Sequence, residues 1–202
     1  MLEFIFHIDK YIKEIIEFFG PASYIILFFI IFFETGVVLA PFLPGDSLLF
    51  IIGVFAANGT LNLYLILIIL TIAAIAGDSI NYFIGNRFGE RIFSKSRFFK
   101  KEYFEKTKEF YEKHGGKTIV IGRFVPVVRT FAPFVAGIGK MKYKRFLVFN
   151  VIGALIWVNS LVLLGYFFGA IQIVSDNMGL AIIAVIIISL IPAIIGYLVR
   201  KN

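Results

Sequence analysis

The 202-residue chain has no cysteine, one tryptophan, two histidines and six prolines, and only 16% of its residues are charged. Without cysteine there is no disulfide, no thiolate nucleophile and no Cys-based metal site. His7 and His114 lack metal-ligand spacing, and neither an HExxH nor a GxSxG pattern occurs. The expectation is a protein that is not an enzyme and uses no cofactor or metal. The shortage of charge excludes more. Soluble domains carry about 25% charged and roughly 45–50% apolar residues, whereas this chain is 59% hydrophobic. That leaves too little polar surface to coat a soluble globule and too much apolar surface for a disordered chain. A multi-pass membrane protein remains, with room for about six spans of roughly 20 residues, filling residues 1–202 as one integral domain.

The charge that is present is lopsided, with 20 lysines and arginines against 13 acids and a net +7. On a soluble protein this would raise nucleic acid as a partner. Here the basic residues flank hydrophobic segments, so anionic headgroups and orientation in the bilayer account for them, and no nucleic acid is expected.

Residues 1–20 carry Glu3, His7, Asp9, Lys10, Lys13, Glu14 and Glu17 among apolar residues, which fits neither a span nor a cleavable signal. The polar positions recur at helical spacing and leave Ile8, Ile12, Ile16 and Phe19 on the opposite side, predicting an interfacial helix that Gly20 and Pro21 end. Residues 22–57 form a hydrophobic limb, a break containing Glu34, Pro41, Pro44, Gly45 and Asp46, and a second limb from Leu48 to Ala57. Ten residues at 1.5 Å each cover about 15 Å, half the hydrocarbon core. This predicts a re-entrant hairpin hinged at Pro41, Pro44 and Gly45. Asn58-Gly59-Thr60 reads as a turn.

Residues 61–86 are long enough to cross the bilayer, with Asp78 and Asn81 near the far end. Residues 87–117 hold ten basic and five acidic residues interleaved with aromatics, a basic amphipathic surface segment. Residues 118–139 are apolar but broken by Arg123, Pro126, Arg129 and Pro133, with basic clusters on both flanks. A second re-entrant hairpin, hinged at Pro126 and Pro133, follows. Residues 146–168 and 179–199 are spans. The basic loops and the C-terminus then lie on the cytoplasmic side.

Each half thus contains a broken hairpin and a span ending in a small-xxx-small pair, Gly85 to Gly89 and Gly165 to Gly169. Broken segments in matching places point to a transporter built as a pseudo-inverted repeat, while GxxxG by itself serves helix packing. A charge kept in hydrocarbon costs roughly 2.5–3.5 kcal/mol and needs a partner or a task. Glu34, Asp46, Asp78, Arg123 and Arg129 qualify. Forked guanidinium groups suit a phosphate or carboxylate. The carboxylates suit protons, because burial and a neighbouring arginine both tune a carboxylate's affinity for one. Asp78 reads equally as a further proton site or as the polar end of a span. Ion pairs that merely join two hairpins are the structural alternative. Trp157 and Tyr166 read as packing or interface residues.

Five stretches in order, FFETGVVLAPFLPGDSLLF (Phe32 to Phe50), AAIAGDSINYFIGNRFGE (Ala73 to Glu90), FYEKHGGKTI (Phe110 to Ile119), GRFVPVVRTFAPFVAGIGKM (Gly122 to Met141) and FNVIGALIW (Phe149 to Trp157), resemble the DedA family of membrane proteins. The resemblance covers about residues 20 to 170. It implies two re-entrant hairpins facing each other, a fold shared with the eukaryotic lipid scramblases of the VTT class. It also implies movement of lipids such as undecaprenyl phosphate or phospholipids, with dependence on the proton motive force. The family's acidic pair falls on Glu34 and Asp46, and its arginine pair on Arg123 and Arg129.

The expectation is therefore an all-α polytopic protein of the inner (plasma) membrane with re-entrant hairpins, spans and amphipathic surface helices. Its function reads as a flippase or scramblase for a phosphate-bearing lipid. Arg123 and Arg129 would bind the headgroup, and Glu34, Asp46 and Asp78 would couple protons. Membrane lipids and protons are its partners. A proton-coupled small-solute or ion antiporter and a non-transporting scaffold are the alternatives.

Overall fold

The computed structural model describes residues 8–36, 45–95, 111–112 and 114–171. Every regular element among the described residues is helical, and none of them is a strand. Helix α1 (Ile8–Phe19) buries Ile12 and Ile16 and leaves Lys13 and Glu17 outside, 3.7 Å apart. The α-helix ends at Phe19, where Gly20 and Pro21 were expected to end it. A single 3-10 turn, Gly20–Ala22, carries the chain into α2 (Ser23–Gly36). Gly20 takes φ +51, a conformation that costs glycine little, and Pro21 sits where no N–H is required. Ser23 closes the joint, its Oγ donating to the Gly20 carbonyl at 2.6 Å. Local hydrogen bonds cap this break, and apolar residues continue beyond it in α2.

Helix α3 (Gly45–Ala57) has 13 residues, and α4 (Leu63–Lys95) has 33. A 3-10 turn at Gly115–Lys117 leads into α5 (Thr118–Gly122), then α6 (Pro126–Ile138) and α7 (Tyr143–Gly169). Helix α4 runs past the boundary expected at residue 86. Hydropathy marks where lipid ends, but no proline or cap interrupts the backbone ladder before Lys95. Pro41, Pro44, most of the surface segment and the span at 179–199 lie outside the described residues.

Tyr11–Gly36, Leu63–Phe88 and Tyr143–Gly169, of 26, 26 and 27 residues, are long and apolar enough to cross a membrane. Twenty-six residues at 1.5 Å reach about 39 Å, against about 30 Å of hydrocarbon. The architecture is that of an all-helical polytopic membrane protein. Phe18, Tyr64 and Phe167 are exposed, while Glu34, Asp78, Asn81, Arg123, Arg129 and Asn150 are buried. Large apolar side chains are exposed on several of these helices, while charged and amide side chains within the apolar segments are buried.

The chain divides into two compact units. The first comprises Met1–Ile30, Pro44–Thr71 and Val158–Asn202. In it α3 is buried along nearly its whole length. Gly53 of α3 lies against the α7 backbone at Val162 and Tyr166, and Gly165 of α7 lies against Phe50 of α3. The second comprises Ile31–Leu43 and Ile72–Trp157. Here Gly137 of α6 lies against Tyr82 and Asn86 of α4, and Gly85 of α4 lies against Phe134 of α6. The two contacts correspond position for position. Phe50 and Gly53 match Phe134 and Gly137, while Val162, Gly165 and Tyr166 match Tyr82, Gly85 and Asn86. In each unit a short helix approaches a long one backbone to backbone, which only glycine permits.

Candidate functional site

The second unit gathers the buried charges. Pro126 opens α6, and the residue before a proline is pushed out of the helical region, so Val125 is extended at φ −118 and ψ 107. That breaks α5 from α6 and makes Arg123, Phe124 and Val125 a turn, closed by Val125 N–H to Gly122 O at 3.0 Å. Arg123 stands just before the break. Arg129 follows one turn into α6, where its N–H donates to Val125 O at 2.8 Å. Pro133, inside α6, has no N–H to return to the Arg129 carbonyl four residues earlier.

Each arginine meets a carboxylate from another helix. Arg129 Nη2 donates to Glu34 Oε1, near the end of α2. Arg123 Nη2 donates to Asp78 Oδ2 of α4 at 2.5 Å and to Asn150 Oδ1 of α7 at 2.6 Å. Glu34, Asp78 and Arg123 are 1–2% exposed and Arg129 is 6% exposed. Two acids and two arginines cancel in charge, which an apolar surround demands. Arg123 Nε and Nη1 and Asp78 Oδ1 make no hydrogen bond among the described residues.

Amides brace both pairs. Asn81, one helical turn beyond Asp78, donates through Nδ2 to Thr130 O at 2.8 Å and Thr35 O at 3.5 Å, the residues next to Arg129 and Glu34. Asn150 Nδ2 donates to Ile75 O at 3.0 Å and Ser79 Oγ at 3.4 Å. The guanidinium carbons of Arg123 and Arg129 lie 5.7 and 5.1 Å from the centroid of the Trp157 ring, which is fully buried. Outside the spans, Tyr111 donates to Ala132 O at 3.0 Å. Burial, and then the nearby Asp78 charge, hold its hydroxyl well above the ordinary phenol range, so it stays a donor.

Of the residues singled out in the sequence, Glu34, Asp78, Arg123 and Arg129 come together in this unit. Asp46 lies in the first turn of α3, in the other unit, partly exposed. Gly45 begins α3 and is buried, and Pro126 begins α6. Sequence reasoning missed Asn150, and Trp157, read as a packing or interface residue, is fully buried and packs against both guanidinium groups. The signal was available, since both lie in the FNVIGALIW stretch, where an amide in an apolar helix stands seven residues from the only tryptophan.

The model of the VTT domain family matches residues 43–167. Protein DedA of Escherichia coli is 51% identical over all of this chain and 94% of its own length. An uncharacterized membrane protein of Mycobacterium tuberculosis is 40% identical over 91% of this chain and 84% of its own. Inner membrane protein YqjA of Escherichia coli is 36% identical over 72% of this chain and 67% of its own. No solved structure matches the chain.

Proposed function

This chain belongs to the DedA family of VTT-domain membrane proteins, and on that premise we propose that it is a proton-dependent flippase or scramblase for a phosphate-bearing lipid. The observation that carries the reading is the pair of buried arginine–carboxylate contacts, Arg129 with Glu34 and Arg123 with Asp78. A phosphate group competes with a carboxylate for the same guanidinium, and the displaced carboxylate is then free to take a proton. That exchange links headgroup binding to proton uptake with no covalent step, so the protein is a transporter and not an enzyme.

On this reading residues 22–57 and 118–139 are re-entrant hairpins of an inverted repeat. The 13-residue lengths of α3 and α6 support it, since about 20 Å of helix does not cross the bilayer. Pro41, Pro44, Gly45, Pro126 and Pro133 hinge the limbs. Asp46 joins Glu34 and Asp78 in handling protons. The protein sits in the inner membrane, with residues 87–117 and the C-terminus in the cytoplasm.

Structural ion pairs are the second reading, favoured by the fact that both arginines already meet a carboxylate. Purified protein in vesicles separates the two. Headgroup exposure of undecaprenyl phosphate and of a phospholipid is followed with and without a pH gradient. The wild type is expected to accelerate at least one. Arg129→Lys, which keeps charge and loses the fork, is expected to fold and to lose at least about tenfold in rate. Acceleration of neither lipid overturns the reading, and proton movement without lipid movement points to a solute antiporter.

A further inference from the structure

One face of α7 follows both arginines. Asn150, Gly153 and Trp157 stand at i, i+3 and i+7, a single stripe of the helix, and all three are buried. Each serves the arginines differently. Asn150 Oδ1 is the second acceptor on Arg123 Nη2 at 2.6 Å, and its own Nδ2 is anchored on the α4 carbonyl of Ile75 at 3.0 Å. At Gly153 a Cβ would lie 3.0 Å from Arg123 Nε, 3.1 Å from its Cδ and 3.3 Å from Val120 Cα, so the arginine stem occupies the space that a side chain would fill. Trp157 lies beneath both guanidinium groups.

We infer that Asn150, Gly153 and Trp157 are positioning residues, an arginine cradle that keeps the guanidinium groups of Arg123 and Arg129 in place to receive a phosphate when their carboxylate partners let go. The inference rests on the transport reading given above. Its physical core is that nothing in the cradle titrates. Among the described residues, the charged groups that act on Arg123 are Asp78 of α4, Arg129 of α6 and Glu34 of α2, and Asp78 in turn acts on Tyr111. When a proton neutralises Asp78, the amide oxygen of Asn150 still accepts from Nη2. An aromatic face attracts cations at any pH, so Trp157 offsets the mutual repulsion of two arginines whether or not the acids are charged. Arg123 Nε and Nη1, which make no hydrogen bond to the described residues, are the donors left for phosphate oxygens. Without the cradle, Arg123 would follow its counter-ion.

The full chain in vesicles tests this through lipid movement, its pH profile and its thermal midpoint. Asn150→Leu and Trp157→Leu are expected to slow lipid movement by about tenfold while staying folded, the size set by a lost charged hydrogen bond or a buried cation–π contact. Gly153→Ala is expected to do the same by displacing Nε. Trp157→Phe, which keeps an aromatic face, is expected to recover most of the rate, and Asn150→Asp, which puts a titratable acceptor on Nη2, to shift the pH profile. Wild-type rates and an unshifted profile in all of them overturn the cradle while leaving the transport reading standing. If a leucine or alanine variant fails to fold, the pH profile of Asn150→Asp decides, an unshifted profile overturning the cradle. A wild type that moves no lipid defeats the transport reading instead. The cradle is then judged from the Nε–H resonance of Arg123 in nitrogen-15 arginine-labelled protein, assigned by its loss in Arg123→Lys. A resonance moved by Trp157→Leu and Asn150→Leu supports the cradle, and an unmoved one overturns it.

Discussion

Glu34 and Arg129 are 95 positions apart in the chain and share a buried hydrogen bond. Removing one member leaves the other charge in an apolar interior, so Glu34→Ala is expected to cost about 3–5 kcal/mol of stability. The double variant Glu34→Ala/Arg129→Ala should lose clearly less than the sum of the two singles. Unfolding midpoints in detergent, arranged as a double-mutant cycle, measure the difference, and strictly additive losses would mean that the two groups do not interact. The charged residues were legible in the sequence because a charge in a hydrophobic segment stands out. Their partners were not. The acid joined to Arg123 is Asp78, because Asp78 is the acid that α4 turns toward the α5–α6 break. Asn81 and Asn150 escaped for a related reason, since an amide declares its use only when the groups on either side of it are known.

At the scale of elements, glycine decides which helices touch. Gly53 and Gly137 hold equivalent positions in the two units, each pressed on the backbone of a long helix. Gly53→Ala and Gly137→Ala are expected to lower stability by similar amounts, about 1–3 kcal/mol each from overpacking. Gly59, with nothing within 4 Å and φ +75, should lose about 1 kcal/mol on replacement by alanine, from backbone conformation alone. Thermal midpoints of the three variants check this, and a larger loss at Gly59 than at Gly137 would contradict the close-packing account. The small-xxx-small pairs were visible in the sequence, but which helix each glycine meets was not. Gly85 of α4 packs on α6, and Gly165 of α7 packs on α3. The end of α4 was the least legible feature, since that helix outruns its apolar stretch.

For the whole molecule, α4 is the element from which orientation can be read. Asn58 precedes it and Lys117 lies beyond it, and both are exposed. In this cysteine-free chain, Asn58→Cys is expected to react with a membrane-impermeant maleimide added outside cells. Lys117→Cys is expected to react only after the membrane is opened. Labelling at 117 and not at 58 would invert the orientation drawn from the basic residues.

Composition alone determined the class of molecule and the identity of its unusual residues. Hydropathy is local and additive, so 59% apolar residues and 16% charge dictate helices in lipid and leave few charges to explain. The tertiary structure decided who pairs with whom. The Glu34–Arg129 and Asp78–Arg123 pairs, the amides that brace them and the tryptophan beneath both guanidinium groups depend on which faces of α2, α4, α6 and α7 meet. Those meetings are set by glycine contacts and a proline-broken turn acting between residues far apart in the chain, and no window of sequence contains both sides of such a contact.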